Sequence, residues 1–198
     1  MLAGSAIAAT LAVGAATPAA AQYYPYPNSG SVIGQVLDSI LRGGTQTSGS
    51  LFERPDPAIQ RFRKSVVEAA QLAIAALPAD PTHPFLSRRS KTVVPVGSWS
   101  VRLQGGGGHH VNHFHSEGWM SSAYYARLPV VPPADWAAHE GWIQFGVPPE
   151  LFNVTLEPRR IVEPAAGRLV LFPSYMFHGT LPFGSGDRLT AAFDFKPA

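Results

Sequence analysis

The sequence predicts a mainly β fold, an antiparallel sandwich or barrel with one or two helices against it. Three observations carry this. From residue 92 onward, short β-rich runs are punctuated by Gly and Pro: Thr92–Val96, Ser98–Leu103, Ser121–Leu128, Gly141–Gly146, Arg168–Pro173 and Arg188–Lys196. The last run alternates, with Leu189, Ala191, Phe193 and Phe195 on one face and Arg188, Thr190, Ala192 and Asp194 on the other. One long stretch has the helical period instead, with Ile59, Phe62, Val66, Ala70, Ala73 and Leu77 recurring at three and four.

Taken in order, residues 1–40 read as a signal-like, low-complexity segment and 41–198 as the folded domain. The start is rich in Ala, Gly and Thr and ends in an Ala-x-Ala at Ala21, like an export signal and its cleavage site. No Lys or Arg precedes Arg42, so the basic stretch of such a signal is missing. The location is exported or periplasmic if residues 1–21 are a signal, and cytoplasmic otherwise. The run is too interrupted for a transmembrane span. Residues 22–31 have a linker composition. Val32, Val36 and Ile40 suit a short helix over Ser31–Leu41, stopped by Gly43-Gly44. Asp56-Pro57 begins the long helix, with Asp as N-cap and Pro at the first helical position, and Pro78 lies beyond its end. Gly105–Gly108 has no Lys-Ser/Thr after it, so it is read as a turn delivering His113 rather than a phosphate loop.

At 198 residues and 45% hydrophobic content the chain suits one domain with a sizeable core. A net charge of +2 without a long basic cluster argues against a nucleic-acid partner. The absence of cysteine excludes disulfides, thiolate metal sites and a thiol nucleophile.

Chemistry concentrates in Asn112–Tyr125, NHFHSEGWMSSAYY. Four of the seven histidines lie between His109 and His115. If the segment is extended, His113 and His115 face one side, as two ligands of one metal should. His178, in FPSYMFHGT, is the third candidate, and histidines with open positions suit non-haem Fe(II). His109 and His110, flanked by glycines, read as mobile mouth residues, and His83 and His139 as surface. Arg188 shares the interior-facing side of its strand, where an unpaired guanidinium is costly, so it calls for an anion such as a dicarboxylate. Thr190 places a hydroxyl two residues on from it. Trp99, Trp119 and Trp142 read as core or rim aromatics, and Arg102 and Asn112 as candidate pocket residues.

The His pair, the Tyr-bearing strand, GRLVLFPSYMFHGT and the Arg-x-Thr ten residues after His178 together resemble the 2-oxoglutarate/Fe(II)-dependent dioxygenases. More narrowly, they are similar to a bacterial group of 2OG-Fe(II) oxygenases often attached to tetratricopeptide repeats, although no such repeat is visible here. The resemblance covers Leu41 to the C-terminus. It implies a double-stranded β-helix (jelly roll), Fe(II) held by His113, His115 and His178, and 2-oxoglutarate as cosubstrate. Arg188, Thr190 and Tyr125 are then expected to hold its distal carboxylate, with Tyr124 the alternative to Tyr125. The expected reaction is hydroxylation of a C–H bond in a small molecule or a protein side chain. The sequence departs from the family's two-His-one-carboxylate set, because His115 stands where Asp or Glu is usual, and Glu117 is the substitute ligand to weigh. The rival reading is a cupin-like binder of a metal or small ligand, without 2-oxoglutarate turnover.

Overall fold

The computed structural model describes residues 9–11, 41–47, 49–129 and 139–198. In chain order the elements are β1 (Ala9–Leu11), β2 (Leu41–Arg42), β3 (Gly44–Gln46), α1 (Pro57–Ala75), β4 (Val93–Gln104), β5 (His109–His110) and β6 (Met120–Arg127). They continue with β7 (Ile143–Phe145), β8 (Arg160–Val162), β9 (Leu169–Pro173), β10 (His178–Thr180) and β11 (Asp187–Pro197). The helix expected over Ser31–Leu41 lies outside the described residues except for Leu41, which starts β2. The linker, and the signal-like segment apart from Ala9–Leu11, lie outside them too.

Strand β11 organises the larger sheet, whose order is β1-β9-β6-β11-β4-β3. It pairs antiparallel with β4 along one edge and with β6 along the other. The two runs expected at Thr92–Val96 and Ser98–Leu103 are one strand, because Gly97 continues the pairing opposite Asp194. A second sheet has the order β10-β7-β8, and β2 pairs with β5. An antiparallel bridge between His113 and His178 joins the segment after β5 to β10. Strands β5, β8 and β10 were absent from the sequence reading, being two or three residues long and too short for alternation to show.

Helix α1 starts as its sequence dictates: the Asp56 carboxylate accepts from the Ala58 and Ile59 amides at 2.7 and 3.3 Å, and Pro57 takes the first helical position. Its buried stripe, Val66, Ala70 and Ile74, packs in one core with Ala191, Phe193 and Phe195 of β11 and with Leu169 and Leu171. Burying each Phe there contributes roughly 1.5–3 kcal/mol. A second core contains Ala123, Tyr125, Ile143, Phe145, Val162, Val170 and Phe172, contributed by both sheets. The cavity described below opens beside it. Among the described residues no helix is long and apolar enough to cross a membrane.

Candidate metal and dicarboxylate site

Backbone pairing explains why His113, His115 and His178 meet. The segment at 113–115 forms a single bridge rather than a regular strand. His113 N–H donates to the His178 carbonyl and His178 N–H to the His113 carbonyl, both at 2.9 Å, while His115 N–H donates to the Ser174 carbonyl at 2.9 Å. Residues 113 and 115 are thereby pinned along one neighbour, and both imidazoles turn to the same side. Gly179 permits the approach, since a Cβ there would lie 2.4 Å from Asn112 Oδ1 and 2.9 Å from the His110 carbonyl oxygen.

The ring nitrogens are committed in a telling way. His113 Nδ1 lies 2.8 Å from the Val111 carbonyl and His178 Nδ1 lies 3.0 Å from the Met176 carbonyl. His115 Nδ1 lies 2.8 and 3.0 Å from the two carboxylate oxygens of Asp194. Carbonyl and carboxylate oxygens only accept, so each Nδ1 carries a hydrogen, which leaves the inward Nε2 as the ligand atom of each ring. The Nε2 atoms of His113 and His115 stand 3.2 Å apart, and one ligand nitrogen from each of the three rings falls within 4.8 Å of the others. Nitrogens facing one another at that range share a proton or a cation. Two nitrogens about 2.1 Å from one ion, at right angles, would be about 3 Å apart. The donor set therefore fits a divalent metal with open positions.

Electrostatics agree. Burial, reinforced by His115, holds His113 down to about 4. Burial, with His113 and His115 nearby, holds His178 well below the usual histidine range. Both rings are neutral at physiological pH, the form that binds a metal.

The same cavity is lined by Arg188 and Thr190, with Gln46, Trp99, His110 and Thr180 also on its walls. Arg188 is 3% exposed, and no ion pair engages it among the described residues. Its Nη1 donates to the Gly141 carbonyl at 3.1 Å, and its Nε has no partner. The guanidinium carbon lies 4.9 Å from the centre of the Tyr125 ring, whose hydroxyl also lacks a partner. Burial depresses the Arg188 pKa, with the Tyr125 hydroxyl acting against it. Burial also raises Tyr125, against Arg188 and Arg168. Buried unpaired donors are costly, and a ligand carboxylate is the group that would satisfy an Arg fork and a phenol together.

Pairing between β6 and β11 separates the two tyrosines. Thr190 is opposite Tyr125, and Ala191 is opposite Tyr124. Tyr125 therefore shares the inner face with Thr190, whereas Tyr124 packs on Phe62 of α1 with ring centres 4.8 Å apart. Tyr125 is fully buried and stands beneath Arg188 rather than on the cavity wall.

Several expectations change. Glu117, weighed as a substitute ligand, turns outward, its side chain 80% exposed and 3.7 Å from Lys196 Nζ. His110 is no mobile mouth residue: β5 pairs with β2, which brings its ring 5.8 Å from that of His113 on the cavity wall. Arg102 points away into an exposed ion pair with Asp187 at 2.6 Å. Trp119 lies in the helix-side core, in keeping with its reading as a core or rim aromatic, whereas His83, read as surface, is half-buried and its Nδ1 accepts from the Phe85 and Leu86 amides at the start of a short 3-10 turn. Asp194 is the functional residue that sequence reasoning passed over. Its placement on the inner face with Arg188 and Thr190 was the available signal.

Residues 97–194, about half of the chain, match the family model "Putative 2OG-Fe(II) oxygenase". That span contains all three histidines, Arg188, Thr190 and Tyr125. Among solved structures the fold is similar to HygX from Streptomyces hygroscopicus, with nickel, 2-oxoglutarate and hygromycin B bound (12% identity, 85% of this chain and 78% of that one, TM-score 0.52). It is also similar to a prolyl hydroxylase from Trichoplax adhaerens, in complex with a hypoxia inducible factor oxygen degradation domain peptide fragment (13% identity, 83% and 74%, TM-score 0.51). A third is the viral collagen prolyl hydroxylase vCPH from Paramecium Bursaria Chlorella virus-1, in its 2OG complex (14% identity, 84% and 85%, TM-score 0.50). Likeness at these identities speaks for the fold, a double-stranded β-helix. No curated protein matches the sequence. By the span matched and by its fold, the chain belongs to the 2OG-Fe(II) oxygenases, oxidoreductases that depend on Fe(II) and 2-oxoglutarate.

Proposed function

We propose that the protein is a hydroxylating dioxygenase in which His113, His115 and His178 hold Fe(II), while Arg188 and Thr190 anchor 2-oxoglutarate from the cavity wall, with Tyr125 supporting Arg188 from behind. The observation that carries this reading is one cavity combining three inward imidazole nitrogens with a buried Arg that lacks an anion. When bound, Fe(II) and 2-oxoglutarate supply the oxidising chemistry: dioxygen, 2-oxoglutarate and a substrate C–H give succinate, carbon dioxide and an alcohol.

The chain's own part is to bind and orient. The Val111 and Met176 carbonyls and the Asp194 carboxylate fix which nitrogen of each imidazole is free. Arg188, held by the Gly141 carbonyl and backed by the Tyr125 ring, presents a fixed fork to a carboxylate. Thr190 offers a hydroxyl from the same face. Trp99, Gln46 and His110 occupy the remaining wall, and they are the side chains a substrate would meet. The solved relatives bind a peptide fragment in one case and hygromycin B in another, so side-chain and small-molecule substrates both remain in scope.

The test is an anaerobic titration with Fe(II) followed by 2-oxoglutarate, read by the metal-to-ligand charge-transfer absorption of the chelate. The band should appear at one equivalent of each. A cupin-like binder would take up Fe(II) without the band and would form no succinate in air, and that result would overturn the proposal.

A further inference from the structure

Among the described residues Asp194 is the only buried carboxylate, at 6% exposure. Its oxygens receive His115 Nδ1–H at 2.8 and 3.0 Å and the Ser121 hydroxyl at 2.7 Å. Ser121 Oγ lies in turn 2.8 Å from Ser174 Oγ. The backbone is shaped for this contact. Ordinary alternation along β11 sets Asp194 and Phe195 on opposite faces, and the register irregularity beside them skips Val96 of β4, not a residue of β11. Asp194 is left facing His115 while Phe195 enters the helix-side core. Gly118 completes the arrangement, since a Cβ there would lie 2.3 Å from Ser174 Oγ and 3.2 Å from Asp194 Cβ.

Three neutral imidazoles leave both charges of a divalent ion uncompensated in a buried cavity, whereas a carboxylate ligand would cancel one of them. We infer that Asp194 is a positioning residue that supplies the missing negative charge through the His115 ring, in place of a direct carboxylate ligand. The hydrogen bond to Nδ1 orients the ring, fixes its tautomer and makes Nε2 a stronger donor. The inference rests on the metal reading above, and it concerns Asp194, which that reading does not include among the ligands.

The test is an anaerobic Co(II) titration, read as dissociation constant and visible spectrum, of wild type and four variants: Asp194→Asn, His115→Asp, the double variant, and Ser121→Ala. Asp194→Asn should weaken Co(II) by roughly 10- to 100-fold, the usual cost of losing an outer-shell partner. In the His115→Asp background two carboxylates would face each other, so adding Asp194→Asn should strengthen Co(II) or leave it unchanged. That opposite response separates charge supply from scaffolding. Ser121→Ala keeps the charge and the Asp194–His115 bond while removing the Ser121 Oγ contacts to Asp194 and, at 3.1 Å, to His115 Nδ1, so it should weaken Co(II) less than Asp194→Asn does. Equal weakening by Asp194→Asn in both backgrounds, or none in the wild type, would overturn the inference. If Asp194→Asn alone fails to fold, a double variant that binds more weakly than His115→Asp would do the same. Failure of folded wild-type protein to bind Co(II) would instead sink the metal reading, and this inference with it.

Discussion

Arg188 and Tyr125 stand together in the interior, the guanidinium carbon 4.9 Å from the phenol ring centre, and each keeps one donor without a partner. Both side chains are almost completely removed from solvent. A fold that buries two donors in this way bears a cost in the empty state that a bound carboxylate would relieve.

Arg188→Met removes a charge-assisted pair worth on the order of 1.5–3 kcal/mol. It should weaken 2-oxoglutarate by roughly ten- to a hundredfold while metal content stays at the wild-type level. Tyr125→Phe deletes a hydroxyl that bonds to nothing, so the empty protein should be as stable as wild type or more so, yet bind 2-oxoglutarate less tightly. Thermal melts with and without the cosubstrate check both. A Tyr125→Phe protein that loses stability without ligand would show that the hydroxyl already has a structural partner.

The ligand set makes a second prediction. His113→Ala and His178→Ala should each abolish stoichiometric metal binding, measured by elemental analysis of purified protein. Glu117→Gln should leave metal content unchanged, because Glu117 lies outside beside Lys196. His115→Asp should keep metal by restoring an oxygen ligand. Metal loss in both Glu117→Gln and His115→Asp would transfer the third position to Glu117.

The buried histidines give a pH dependence whose sign follows from their depressed pKa values. His113 is held down to about 4 and His178 well below its ordinary 6.5, so the unfolded chain binds more protons between those limits. Stability of the metal-free protein is then full above pH 6.5 and falls as pH drops toward 4. Denaturant midpoints measured across that window should decline on the acid side, and His178→Gln should flatten the slope. A metal-free protein equally stable at pH 5 and pH 7 would contradict the burial of these rings.

The large features were legible because their signals are periodic or local. The recurrence of Ile59, Phe62, Val66, Ala70, Ala73 and Leu77 marked α1, and the Asp56-Pro57 pair marked its start. The alternation of β11 put Phe193 and Phe195 under the helix and Arg188 in the cavity. What sequence could not supply was set by contacts distant in the chain. Tyr125 was separated from Tyr124 only by the β6–β11 register, and His110 was drawn to the wall by pairing with β2. Glu117 was weighed only as a substitute ligand, and its side chain turns outward. Asp194 was placed on the right face, but its hydrogen bond to a residue 79 positions earlier has no sequence signature.

The last prediction compares one substitution at two glycines. At Gly179 a Cβ would meet Asn112 Oδ1 at 2.4 Å, the His110 carbonyl at 2.9 Å and the Asn112 amide nitrogen at 3.2 Å. Two of these are backbone atoms of the segment that carries His113, and Gly179 directly follows His178. Gly179→Ala should therefore push β5 from β10, open the His113–His178 bridge and cost about 1–3 kcal/mol as an overpacking defect. Metal affinity should fall with it, since two ligands are displaced relative to each other. At Gly106 nothing lies within 4 Å, but φ is +83°, so Ala there is strained by its own backbone, at roughly 1–2 kcal/mol. Gly106→Ala should thus match Gly179→Ala approximately in lost stability and leave metal binding untouched. Parallel urea melts and metal titrations distinguish the two, and a Gly179→Ala protein with wild-type metal affinity would show that the β5–β10 contact does not set the site.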